Sequence, residues 1–206
     1  MAEDLTGYTE VDPVGYISKT SSRVTLAYLL CSVDAYLYHD FGVNYFDKID
    51  LQFAGRVSSS TAYDGMCCVG FANNVNDSAG WSQSQYISVE FYRSNSTGKY
   101  NVTLVTSGVG VDSYEISANT TYYFTLSRSA GSNTVTLKIY SDSARTALLD
   151  TLSADGVGTS TKFQYFYPAA SFNTGVSSDA FYGYFENFVL NSIAITGGAQ
   201  IIGLPW

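Results

Sequence analysis

The sequence predicts an all-β chain folded as two packed antiparallel sheets, and three observations carry that prediction. Apolar residues recur at every second position in run after run. The residues filling those runs suit a pleated, half-buried surface, with 18 Tyr and 12 Phe against only 3 Pro. Sustained helical spacing with caps is missing, apart from a single turn near 143–148.

Taken in order, Val24, Leu26, Tyr28 and Leu30 alternate with Arg23, Thr25 and Ala27, which predicts a strand with one buried face. Ile49, Leu51 and Phe53 alternate with Asp50 and Gln52 in the same way. Met66 to Phe71 is apolar on both faces, as a central strand covered on both sides would be. Ile87, Val89 and Phe91 give the next strand, Tyr122, Phe124 and Leu126 another, and Val135, Leu137 and Ile139 its hairpin partner. Phe163 to Pro168 and Phe181 to Phe185 are rich in rings, of which alternate members are expected in the core and the others on a surface. Turn clusters rich in Ser, Asn and Gly separate these runs, notably 73–80, 94–98, 127–133 and 153–161. A dozen short strands so spaced predict a sandwich or barrel rather than βαβ units. Without a linker or a fixed repeat, residues 1–196 are expected to form one domain, followed by an apolar tail, 197–206.

Hydrophobic residues make up 46% and charged ones 14%, which excludes a disordered chain. A net charge of −8 and a pI near 4.4 exclude a surface that trades counterions with phosphates, so nucleic acid is not an expected partner. The sequence holds no run of 18 apolar residues, so no membrane span is predicted. Cys31, Cys67 and Cys68 are too few for a disulfide framework and read as small buried hydrophobes. Met1 to Asp4 is acidic with no apolar run behind it, which reads as no signal peptide and synthesis in the cytoplasm. The sequons at Asn76, Asn95, Asn101 and Asn119 are then accidents of a Ser- and Thr-rich surface.

The order of segments resembles the concanavalin A-like (laminin G-like) jelly rolls. Tyr8-Thr9-Glu10-Val11-Asp12-Pro13, Ile17-Ser18, Arg23-Val24-Thr25 and Asp34 to Tyr38 resemble their first strands. The hairpin from Thr120 to Asp142 is similar to a strand pair of their C-terminal half, and Gly183 to Leu190 looks like their closing strand. The resemblance covers about residues 5–196 and implies a two-sheet antiparallel jelly-roll β-sandwich. It leaves function open, because lectins, glycosidases, adhesion modules and virion proteins share the fold.

Catalysis is not expected. Sugar-cleaving members of the family carry two carboxylates in a Glu-x-Asp-x-(x)-Glu pattern on one strand, which retaining hydrolysis needs about 5 Å apart. The glutamates here are Glu3, Glu10, Glu90, Glu115 and Glu186, and none on a core strand has such a companion. His39, the single histidine, shares the parity of Ala35, Leu37 and Phe41 and reads as a partly buried structural residue. Asn73-Asn74-Val75-Asn76-Asp77 offers oxygens to a cation but only one formal charge, so it reads as a solvated turn. No cofactor or metal is implied.

Two functions lead, and a glycan hydrolase or lyase whose carboxylates escape pairing is a weaker third. The first is a structural, self-associating virion-surface module, a capsid decoration, tail or fibre component, whose partners are further copies or other virion subunits. Its main support is the tail, where Ile201, Ile202, Leu204, Pro205 and Trp206 offer apolar surface to a partner subunit or to the chain's own domain. The second is a lectin-like module binding glycans through Trp81 with Asn74, Asn76 and Asp77, a flat ring for stacking beside amides that read hydroxyls. Against it stands the blander reading in which Trp81 caps one end of the sandwich.

Overall fold

The computed structural model describes residues 2–60, 66–77, 80–83, 85–94, 97–107, 109–171 and 180–191. Its strands, numbered along the chain, form two seven-stranded antiparallel sheets. The front sheet runs β1 (Thr9–Val11), β4 (Tyr36–Asp40), β13 (Tyr165–Ser171), β6 (Met66–Ala72), β7 (Tyr86–Arg93), β8 (Tyr100–Thr106) and β9 (Val109–Ile116). The back sheet runs β12 (Leu148–Ala154), β11 (Val135–Tyr140), β10 (Thr121–Arg128), β5 (Ile49–Ser60), β14 (Ala180–Leu190), β3 (Arg23–Leu30) and β2 (Ile17–Lys19). The all-β, two-sheet expectation holds. The hairpin anticipated in the C-terminal half is β10–β11, and the closing strand β14 lies between β3 and β5.

Alternation becomes burial. Ile49, Leu51 and Phe53 of β5, Ile87, Val89 and Phe91 of β7, and Val135, Leu137 and Ile139 of β11 are all fully buried between the sheets. Phe53 lies at the centre, stacked on Phe124 at 4.9 Å and on Phe188 at 5.7 Å, with Phe91 and Phe185 edge-on to it. β6 occupies the middle of the front sheet, and Cys67 and Cys68 are both buried, one in the core between the sheets and one on the opposite face. Double coverage explains the apolar run on both parities.

Two local expectations are corrected. Tyr28 is not core: it is 42% exposed, while its neighbour Leu29 is fully buried. The backbone at Tyr28 has φ +70°, a bulge that reverses the parity of β3 opposite a register shift in β14. Gly183 sits at that shift because a Cβ there would collide with the carbonyl oxygen of Arg56. Residues 143–147 form turns rather than a helical turn, since the Asp142 carboxylate takes the amides of Thr146 and Ala147. Among the described residues, the short 3₁₀ turns fall elsewhere, at Leu5–Gly7 and Gly80–Gln83.

One buried cation holds the loops at the end of β10. Arg128 is 2% exposed, and its guanidinium donates to the carbonyls of Ser132, Asp47, Thr161 and Gly158 at 2.8–3.1 Å. Removing the donors would leave carbonyls buried without partners, which costs more than the bonds contribute. Arg128→Met is therefore expected to lower the unfolding free energy by about 3 kcal/mol or more in urea denaturation. A loss below about 1 kcal/mol would mean that water replaces the guanidinium freely.

Candidate functional site

The outward face of the front sheet carries a second cluster of rings, separate from the core. On β4 the outward positions are Tyr36, Tyr38 and Asp40, and on β13 they are Tyr165 and Tyr167. These two strands pair, so tyrosines distant in sequence form one patch. Tyr38 stacks on Tyr167 at 5.9 Å and meets Tyr165 edge-on at 5.9 Å, and Tyr36 meets Tyr167 at 6.2 Å. Tyr167 is buried, whereas Tyr38 and Tyr165 keep part of each ring in solvent.

Trp81 extends this cluster and is 0% exposed. Its ring lies 4.7 Å from that of Tyr167 and 6.1 Å from that of Tyr86, and Nε1 donates to the carbonyl of Asn76 at 3.0 Å. It sits on the backbone of Gly70, where a Cβ would stand 2.9 Å from the indole and would collide with the carbonyl oxygen of Ile87. The exposed sugar platform expected at Trp81 is thereby corrected: the indole faces are occupied within the protein. Asp77 is also buried, with Oδ1 accepting from the Gly80 amide at 2.8 Å. Asn74 and Asn76 are half-buried. Asn74 Nδ2 donates to the Gly80 carbonyl, and its own carbonyl accepts from the Tyr167 hydroxyl at 2.6 Å. The loop thus spends its polar atoms on fastening itself to the sheet. The tail residues Ile201, Ile202, Leu204, Pro205 and Trp206 lie outside the described residues.

A rim of polar groups borders the exposed tyrosines. Gln164 Nε2 donates to both carboxylate oxygens of Asp40, at 3.0 and 3.1 Å, and to the Tyr165 hydroxyl at 3.0 Å. The Gln164 amide donates in turn to Asn73 Oδ1 at 2.9 Å, and Asp40 Oδ1 takes the Gly42 amide at 2.8 Å. Two half-exposed rings therefore stand beside an amide and a carboxylate of fixed orientation. His39, on the opposite parity of β4, is half-buried between the rings of Tyr8 and Phe41, at 4.9 and 4.6 Å.

Farther along the same face, β7 presents Ser88 and Glu90. The Ser88 hydroxyl donates to Glu90 Oε1 at 2.9 Å. Burial pushes the Glu90 carboxyl up to about 7, with the Ser88 hydrogen bond pulling the other way. Its cross-strand partners are Cys68 on β6 and Thr103 on β8, so no second carboxylate stands beside it on either neighbouring strand.

Among solved structures, the chain is similar to a legume lectin-like domain from Entamoeba histolytica, at 11% identity and a TM-score of 0.54, over 91% of this chain and 90% of that one. It is similar to a protein of unknown function from Shewanella oneidensis MR-1, at 10% identity and a TM-score of 0.52, over 98% of this chain and 80% of that one. It is also similar to the exoplasmic/lumenal domain of VIP36 in a Ca2+/Man3GlcNAc-bound form, at 10% identity and a TM-score of 0.51, over 95% of this chain and 88% of that one. At such identities the likeness is one of fold. No family model matches the sequence, and no curated protein matches it. The chain has the concanavalin A-like, legume lectin-like β-sandwich fold.

Calcium in such a fold would need six to eight oxygens. The loop 73–77 does not fit that demand, because Asn76 Oδ1 accepts from the Asp77 amide and Asp77 Oδ1 from the Gly80 amide. Among the described residues no group of three or more His, Cys, Asp or Glu could hold a metal ion.

Two outcomes test this geometry. Trp81→Ala is expected to cost about 3–5 kcal/mol of stability, measured by urea denaturation, because it empties a fully buried site. An unchanged denaturation midpoint would place the indole at the surface after all. Glu90 binds its proton more tightly folded than unfolded, so its contribution is full below about 4.5 and is lost as pH rises to about 7. Glu90→Gln should leave stability nearly unchanged at pH 4.5 and raise it at pH 8, by up to about 3 kcal/mol. Equal effects at both pH values would show that the carboxyl is not held neutral by burial.

Proposed function

We propose that this protein is a non-enzymatic, carbohydrate-binding module that takes a saccharide on the rim formed by Tyr38, Tyr165, Gln164 and Asp40. One observation carries the reading: two half-exposed tyrosine rings stand beside a carboxylate and an amide already fixed in orientation by their mutual hydrogen bonds. Aromatic faces accept the apolar face of a sugar ring, and oriented amide and carboxylate groups discriminate among hydroxyl patterns. Pre-set hydrogen bonds lower the ordering cost of binding. The lectin-like fold supports the reading as an analogy of architecture.

The virion-surface reading leans on residues 197–206, which lie outside the described residues, so the rim is where geometry supports a function. A glycan array on the intact protein, followed by titration calorimetry with the best ligand, tests the proposal. Tyr165→Ala should weaken binding about tenfold or more without a large change in melting temperature, because that ring is only partly buried. Gln164→Ala should weaken it as well. An array blank for every glycan, or full affinity in both variants, would overturn the rim.

A further inference from the structure

The back sheet carries a cleft of about 330 Å³ on its outer face, open to solvent and unused by the rim. That volume falls at the lower end of the range for ligand pockets. Its floor is a cross-strand row, Asp50 on β5, Ser127 on β10 and Thr136 on β11. The neighbours of that row, Leu51, Leu126 and Leu137, are buried in the core, so the row itself faces outward. The turn between β10 and β11 adds Ser132 and Thr134, and it is held in place. Arg128 Nε donates to the Ser132 carbonyl at 2.9 Å, and the Thr134 hydroxyl donates to Asp155 Oδ1 at 2.5 Å. Lys48 and Ser129 also line the cleft, and both are exposed. The side chains of Lys48, Ser127, Ser129 and Thr136 make no hydrogen bond or ion pair among the described residues. An ammonium and three hydroxyls are therefore available to a ligand, on walls already fixed.

We propose that this cleft binds a carboxylated sugar, a uronate. The Lys48 ammonium and the serine hydroxyls donate to its carboxylate, and Asp50 accepts from its ring hydroxyls. Lys48 and Asp50 are two residues apart, so their Cα atoms are separated by at most about 7 Å. That is comparable with the span of one pyranose from its carboxylate to the hydroxyls on the far side. The local charge favours the same ligand. Among the described lining residues the cations Lys48 and Arg128 stand against one carboxylate, Asp50, in a chain whose net charge is −8. The cleft is thus a locally positive spot on an acidic surface. A neutral sugar offers Lys48 no counter-charge, and a simple anion offers Asp50 no hydroxyl. The cleft and the rim lie on opposite sheets and share no residue, so this site does not rest on the rim.

The test is an amide-resolved NMR titration of the intact protein at pH 7 with glucuronate and galacturonate, with glucose, galactose and acetate as controls. At least one uronate is expected to shift the Ser127, Ser129 and Thr136 resonances, and to bind at least about tenfold more tightly than its neutral counterpart and than acetate. Lys48→Met should weaken the uronate about tenfold and remove most of its advantage over the neutral sugar. Thr136→Val breaks no side-chain hydrogen bond within the described protein and should weaken the uronate about threefold or more. The melting temperature should stay level in both variants. Uronate binding that persists in Tyr165→Ala would support the cleft independently of the rim. Shifts confined to Tyr38 and Tyr165 would overturn the cleft and leave the rim standing. No shift by either uronate, equal affinity for acetate or for the neutral sugar, or an unchanged Kd in either cleft variant would overturn it.

Discussion

The front sheet depends on the absence of a side chain at Gly70. Any Cβ there would strike the carbonyl of Ile87 on the neighbouring strand and press on the Trp81 indole. With glycine, the indole lies against bare backbone and is held by Tyr167, Tyr86 and the Asn76 carbonyl. The loop that carries it is then pinned a second time, by the Tyr167 hydroxyl on the Asn74 carbonyl. A polar, Asn-rich segment is thereby folded onto the sheet with its hydrogen bonds made internally, which is the condition for burying it at all. The consequence is a division of the face. Tyr38 and Tyr165 are left half-exposed on one side of the wedge, and the Glu90 carboxyl lies largely buried on the other.

Polar atoms are treated differently in the two halves of the molecule. At the end of β10, the Arg128 guanidinium is buried, but four carbonyls receive its protons, so the charge serves as a clamp. On β7 and β8 of the front sheet, Thr103 Oγ1 is buried with no partner among the described residues, and Glu90 is held in surroundings that disfavour its charge. Completing a polar cluster stiffens a fold, whereas a buried polar group left without a partner costs free energy. The aromatic core between the sheets, centred on Phe53, supplies the rigidity against which these outward groups are fixed.

Much of this was legible from residue order. The alternation in β5, β7, β10 and β11 identified core residues correctly, because a two-residue period needs only local information. The apolar run of β6 on both parities correctly indicated a strand covered on both faces. Tyr28 escaped, since a bulge inverts parity without any marker such as glycine in β3 itself. Trp81 escaped for a different reason. Its burial depends on Gly70, eleven positions away on another element, and on the space that a missing Cβ leaves.

The candidate sites were the least legible. Tyr36 and Tyr38, like Tyr165 and Tyr167, stand two apart in the sequence, which marks each pair as sharing a face but not the company it keeps. Glu90 gave the same partial signal, alternating with Ile87, Val89 and Phe91. Taken alone, the sequence determined the class of fold, most of the inward residues and the acidic character that disfavours nucleic acid, since these follow from composition and local period. Only the tertiary structure decided that β4 pairs with β13 and β7 with β8, and so which tyrosines and polar groups meet. Strand pairing joins segments remote along the chain through backbone groups that every residue shares, and those groups carry no record of their partner in the sequence.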